Sequence, residues 1–142
     1  KEVITAPGSK KTHVIEDRGQ SLRLPRSHLD SLEINHADAI GAAMIGNSMA
    51  EKIDDGSTLA IDRGLTQIVD GEIYAIEHDG MLRIKYLHRM PGNALRMRSH
   101  NRADYPDEIF RPAQIEEQNI RVLGWVFWWS TLNKRRPPLP FL

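Results

Sequence analysis

Between Gly71 and Leu87 the chain reads Gly-Glu-Ile-Tyr-Ala-Ile-Glu, then His-Asp-Gly, then Met-Leu-Arg-Ile-Lys-Tyr-Leu. Two β-rich runs around an Asp-Gly pair predict a hairpin. Both central residues of a type I′ turn need φ > 0, which Asp79 and Gly80 adopt at little cost. Strand alternation then sends Leu82, Ile84 and Tyr86 to one face and Arg83, Lys85 and Leu87 to the other. Lys85 is thereby a cation inside a stretch that otherwise reads as a buried strand.

The rest of the chain repeats the β pattern. Ala42 to Ile45 reads as a small apolar strand and Thr58 to Asp62 as another, entered through the turn Asp54-Asp55-Gly56. Ala94 to Arg98 and Ile120 to Trp129 bring the expected total to about six strands. Leu24-Pro25-Arg26-Ser27 opens a short helical segment, His28 to Leu32, with Ser27 as N-cap. Many short strands with Gly/Asp turns and little helix predict a mostly-β fold, a curled sheet or partial barrel. Residues 1–21 are polar and rich in breakers (Pro7-Gly8, Lys10-Lys11, Asp17-Arg18-Gly19) and read as a linker or docked arm. The expected organisation is an arm over 1–21, one domain over 22–130 and a tail over 131–142.

Composition removes several classes. With 142 residues the chain suits one domain with a real core. Lys plus Arg equals Asp plus Glu at 19 each, so no global nucleic-acid footprint exists. Cysteine is absent, which excludes disulfides, zinc–thiolate clusters and a thiol nucleophile. No apolar run reaches the roughly 18–20 residues of a membrane span. No secretory signal is visible, and Lys1 in place of Met suggests a piece of something longer. The expected setting is a cytoplasmic domain, with no membrane partner and no cofactor.

Ser48 lies 37 positions before Lys85, in Met44-Ile45-Gly46-Asn47-Ser48-Met49, where an apolar run breaks. A serine hydroxyl is a poor nucleophile until a base takes its proton. Lysine serves as that base only if desolvation lowers its pKa. A Ser–Lys dyad therefore needs a serine on a turn and a lysine on a strand among apolar neighbours. Consecutive N–H groups at such a turn also suit an oxyanion hole. Spacing alone equally allows an ordinary turn serine and an amphipathic-strand lysine.

Five motifs in order add weight: Gly46-Asn47-Ser48-Met49, Ile53-Asp54-Asp55-Gly56-Ser57, Asp70-Gly71-Glu72-Ile73-Tyr74, Ile84-Lys85-Tyr86-Leu87 and Arg98-Ser99-His100-Asn101. Together, from about Ala42 to Trp128, they resemble the C-terminal domain of LexA-like and lambda-type phage repressors, a self-cleaving serine peptidase family whose fold is signal-peptidase-like. The resemblance implies Ser48 as nucleophile, Lys85 as neutral general base and backbone amides at Ser48 and Met49 as oxyanion hole. It also implies a homodimer or higher oligomer, an N-terminal domain outside this sequence that binds operator DNA, and cleavage of the linker between them. The inducer it implies is a RecA–single-stranded DNA filament. Three departures stand out. Asn47 replaces the usual Asp, Glu51 stands where proline is common, and the chain has neither an Ala-Gly pair nor a Cys-Gly pair. Ala6-Pro7-Gly8 is the nearest approximation to the scissile dipeptide, so the bond lies before Lys1, uses another dipeptide or is lacking. The rival readings are a non-cleaving dimerisation module released by an antirepressor protein, and a self-cleaving DNA-damage polymerase accessory.

Other features carry blander expectations. His13, His28, His36, His78, His88 and His100 lack metal-ligand spacing, so no metal site is expected. Asp54-Asp55-Gly56 lacks the repeating ligands of a calcium loop. Trp125-Val126-Phe127-Trp128-Trp129 reads as a terminal core strand or, for its outward aromatics, an oligomer contact. Lys134-Arg135-Arg136 and Pro137-Pro138-Leu139-Pro140 read as a solvated tail, with a polyproline-type peptide ligand as the alternative.

Overall fold

The computed structural model describes residues 2–5, 13–16, 24–132 and 136–140. Its centre is a seven-stranded antiparallel sheet, open at both edges. In chain order the strands are β1 (Glu2–Thr5), β2 (His13–Glu16), β3 (Ala39–Ala43), β4 (Thr58–Asp62), β5 (Ile73–His78), β6 (Met81–Met90), β7 (Ala94–Arg98), β8 (Glu108–Phe110) and β9 (Ile120–Ser130). Spatially the large sheet runs β3-β4-β9-β5-β6-β7-β8, while β1 and β2 pair only with each other. Among the described residues, helix is confined to α1 (Arg26–Ser31), α2 (Pro112–Glu117) and two single 3-10 turns. The mostly-β expectation is met.

The hairpin forms as the sequence requires. Asp79 and Gly80 take φ of 53° and 85°, and His78 faces Met81 across a two-residue turn. The alternation also holds: Leu82 and Ile84 enter one core, while Leu87 enters another on the opposite face. Both faces of the sheet are therefore covered over part of their area, each buried aliphatic side chain contributing about 1.5–3 kcal/mol. Two bulges on β9, at Phe127 opposite Ala60/Ile61 and at Leu123 opposite Ala75/Ile76, bend and twist the sheet into its curl.

Several boundaries differ from expectation. The first strand of the large sheet is Ala39–Ala43 rather than Ala42–Ile45. Its Ala- and Gly-rich sequence has low β propensity and is held by pairing with β4. The short helix starts at Arg26 and its N-cap is Pro25, so Ser27 lies inside the first turn. Elements were also found that the sequence reading did not foresee. β8 is only three residues long, and α2 begins on Pro112, a breaker in the middle of a helix but a good first residue. The 1–21 segment contains the paired strands β1 and β2, and these lie beside β3 and β6 respectively. Ala6-Pro7-Gly8, Lys10-Lys11, Asp17-Arg18-Gly19 and Lys134-Arg135 fall outside the described residues.

Candidate active site

β3 ends at Ala43, but its ladder continues through the loop. Met44 N–H donates to the Ser57 carbonyl at 2.8 Å, and its own carbonyl accepts from Gly56 at 2.8 Å. Gly46 then turns the chain at φ 95°, a conformation that favours glycine, with its N–H bound to Asp55 Oδ1 at 2.8 Å. Beyond Ser48 the chain is anchored again, because Met49 and Ile53 are wholly buried in the first core. Ile53 N–H donates to the Met49 carbonyl at 2.8 Å. Ser48 is thus a half-buried residue on a turn pinned at both ends. Among the described residues, neither the Ser48 nor the Met49 N–H donates to another group.

Lys85 arrives from the opposite wall. On one side β6 is paired with β5 along Ile73–His78. On the other, β7 pairs only with Tyr86–Met90, which leaves Met81–Lys85 as an edge among the described residues. A cleft of about 250 Å³ runs along that edge, lined by Met44–Ser48, Met81–Lys85 and Tyr105. It brings Ser48 and Lys85 into one concavity. Lys85 is only 5% exposed. Burial pushes its amine down to about 8, assisted by the Arg83 guanidinium and opposed by the Glu108 carboxylate. A fraction of such an amine is neutral near pH 7, which a general base requires.

The ammonium is not joined to Ser48 by a hydrogen bond. Nζ donates instead to Ser99 Oγ at 2.5 Å and lies 5.4 Å from the Tyr105 ring centre. Arg83, on the same face as Lys85, makes a forked pair with Glu108 at 2.7 and 2.8 Å. That pairing holds the Glu108 carboxyl below its usual range. Arg83 also contacts His78 Nδ1 at 3.0 Å, and His78 Nε2 contacts Gln118 Oε1 at 2.7 Å.

Ser99, Tyr105, Arg83 and Glu108 carry no assigned role in the sequence reading. Ser99 was visible only as one letter of Arg98-Ser99-His100-Asn101. The signal that finds it is register: Arg98 pairs with Tyr86, so the next residue on β7's side comes opposite Lys85. Among the described residues no cluster of His, Asp or Glu could hold a metal. Asp54-Asp55-Gly56 forms a turn, with Ser57 N–H on the Asp54 carbonyl at 3.0 Å. Of the histidines, His36 contacts Asp30 and His100 contacts Tyr86. In the aromatic run Val126 is core, Trp125 and Trp129 pack against the two cores, and Phe127 and Trp128 are half-buried. No helix among the described residues is long and apolar enough to cross a membrane.

The family model described as Peptidase S24-like matches residues 5–127. Over 138 residues the chain is 47% identical to the HTH-type transcriptional regulator PrtR of Pseudomonas aeruginosa, covering 97% of this chain and 54% of that protein. It is 37% identical over 139 residues to the Repressor protein CI of Enterobacteria phage phi80, covering 96% of this chain and 56% of that protein. The chain thus spans about half the length of the curated relatives it matches. A match over most of its length, with relatives this similar, makes the chain a member of the peptidase S24-like family.

Proposed function

We propose that this domain is the self-cleaving, dimerising half of a transcriptional repressor, with Ser48 as nucleophile and Lys85 as general base. One observation carries the reading: a buried lysine shares a cleft with a serine on an anchored turn. In the reaction, neutral Lys85 removes the Ser48 Oγ proton as Oγ attacks a peptide carbonyl. The N–H groups of Ser48 and Met49 receive the oxyanion. The C–N bond breaks, Lys85 returns its proton to the departing amine, and water hydrolyses the acyl-serine.

The bond to be cut belongs to the chain's own N-terminal side. β1 and β2 run beside β3 and β6, the strands that lead to Ser48 and carry Lys85. The unpaired edge of Met81–Lys85 suits a peptide that enters as an added strand. Residues 1–21 therefore act as the cleavage-region arm, 22–130 as the peptidase and dimerisation domain, and 131–142 as a tail. Operator binding belongs to an N-terminal domain beyond this sequence, as the names of its relatives suggest. Cleavage separates that domain from the dimer and ends the avidity of paired half-sites. The inducer is a RecA–single-stranded DNA filament, the site of action is the cytoplasm, and Phe127 and Trp128 supply the aromatic contact between copies.

The test is mild alkaline incubation of the protein in its natural full length, wild type beside Ser48→Ala and Lys85→Ala, with fragments weighed by mass spectrometry. Splitting of wild type alone, at one bond, is the expected result. Wild type that stays whole, even with activated RecA filament, would sink the peptidase assignment in favour of a dimerisation module controlled by an antirepressor.

A further inference from the structure

A single short segment touches both halves of the dyad. Ser99 follows directly on the last residue of β7, is 2% exposed, and accepts from Lys85 Nζ at 2.5 Å. Two residues later Asn101 grips the other wall. Its backbone N–H donates to the Ser48 carbonyl at 3.0 Å, and its Nδ2 donates to the Asn47 carbonyl at 3.2 Å. The second Nδ2 hydrogen reaches Asp104 Oδ2 at 3.3 Å, so both amide donors are used. Tyr105 N–H closes back on the Asn101 carbonyl at 3.0 Å, and the Tyr105 ring lies beside the amine.

We propose that Ser99–Tyr105 is a positioning bracket: Ser99 fixes the Lys85 amine, Asn101 fixes the Ser48 turn, and one stiff loop thereby sets nucleophile against base. The inference rests on the peptidase reading above and adds the residues that align its two partners. β3 and β6 are not neighbours in the sheet, so no ladder holds the two walls in register. The bracket supplies that link at one end of the cleft. Neither Ser99 nor Asn101 acts on substrate; each works through a residue that does. The Ser99 hydroxyl, as acceptor for an Nζ hydrogen, turns the lone pair of the neutral amine away from itself. Substrate geometry this close to the chemistry is costly to blur, since a misplacement of about 1 Å can lower a rate about 100-fold.

The experiment compares Asn101→Ala, Ser99→Ala and Ser99→Thr with wild type in the natural full-length protein. Three readouts are taken: the first-order rate of alkaline self-cleavage against pH, the titration of Lys85 followed by NMR of labelled lysine, and thermal melting. Asn101→Ala should melt as a folded protein and cleave about 10- to 100-fold more slowly, with the same pH midpoint, because only the turn has loosened. Ser99→Ala should also slow and should shift its midpoint to lower pH, since the lost acceptor favoured the ammonium; Ser99→Thr should restore both. A bracket with only a structural role would change melting and leave rate plateau and midpoint alone, and that result overturns the inference. If wild type itself fails to cleave, the peptidase reading falls, and the lysine titration decides the bracket separately. A midpoint lowered in Ser99→Ala supports it; an unmoved midpoint overturns it.

Discussion

Lys85 buried at about 8 makes a quantitative demand on the pH dependence of self-cleavage. At pH 7 about one amine in eleven is neutral, against about one in three thousand for a lysine at its ordinary value. The surroundings of this single side chain, burial first among them, are thus worth about 300-fold in available base at neutral pH. The rate should climb about tenfold from pH 7 to pH 9 and then level off, whereas an ordinary lysine would give about a hundredfold climb over the same interval with no plateau. Arg83→Gln tests the cause. Arg83 lowers the lysine and neutralises Glu108, which raises it; removing the guanidinium pushes the midpoint to higher pH on both counts. Glu108→Gln moves it to lower pH. The assay is first-order loss of the intact full-length protein, by mass spectrometry, at half-unit steps from pH 6 to pH 10. A unit slope that persists through pH 9.5, or an Arg83→Gln midpoint that falls, refutes the reasoning.

Two further outcomes concern stability. Lys85→Met should end cleavage and raise the melting temperature at pH 7. With the folded lysine lowered to about 8 from its ordinary value of 10.5, the cost of burying the ammonium is fully present below pH 8 and fades as pH rises toward 10.5. Removing it is worth up to about 3 kcal/mol; a lower melting temperature would show that the amine is favourably housed. Gly124→Ala should destabilise by about 1–3 kcal/mol or more in urea titration. Its new Cβ would collide with the Asp62 carbonyl oxygen on the neighbouring β4, and backbone there cannot step aside. A neutral result would mean that β4 and β9 sit further apart.

The legible parts of this protein are the local ones. Asp79-Gly80 announces its hairpin because turn chemistry involves only adjacent residues. β4 and β7 begin and end where the pattern says: β4 is a short apolar run between Gly56 and Gly64, and β7 alternates apolar and polar residues after Pro91-Gly92. Elements that depend on partners were hidden. β3 is a strand because β4 pairs with it, and β8 is three residues held by β7. The hairpin of β1 and β2 lies in a segment whose composition reads as linker. Pro112 starts a helix instead of preventing one, a distinction that depends on where the first turn falls.

The sequence by itself determined a mostly-β domain without thiol or membrane-span chemistry, the hairpin that carries Lys85, and the face from which that side chain projects. It also marked Ser48 as a serine on a turn and displayed the motifs of its family. Only the tertiary structure decided that Lys85 is buried, that its cleft is shared with Ser48, and that Ser99, Asn101 and Arg83 surround the pair. The division has a physical cause. Turn geometry and strand alternation are set by neighbours along the chain, and letters report them. Alignment at the dyad comes from groups 14 to 54 residues apart in sequence, which meet only when the sheet has curled.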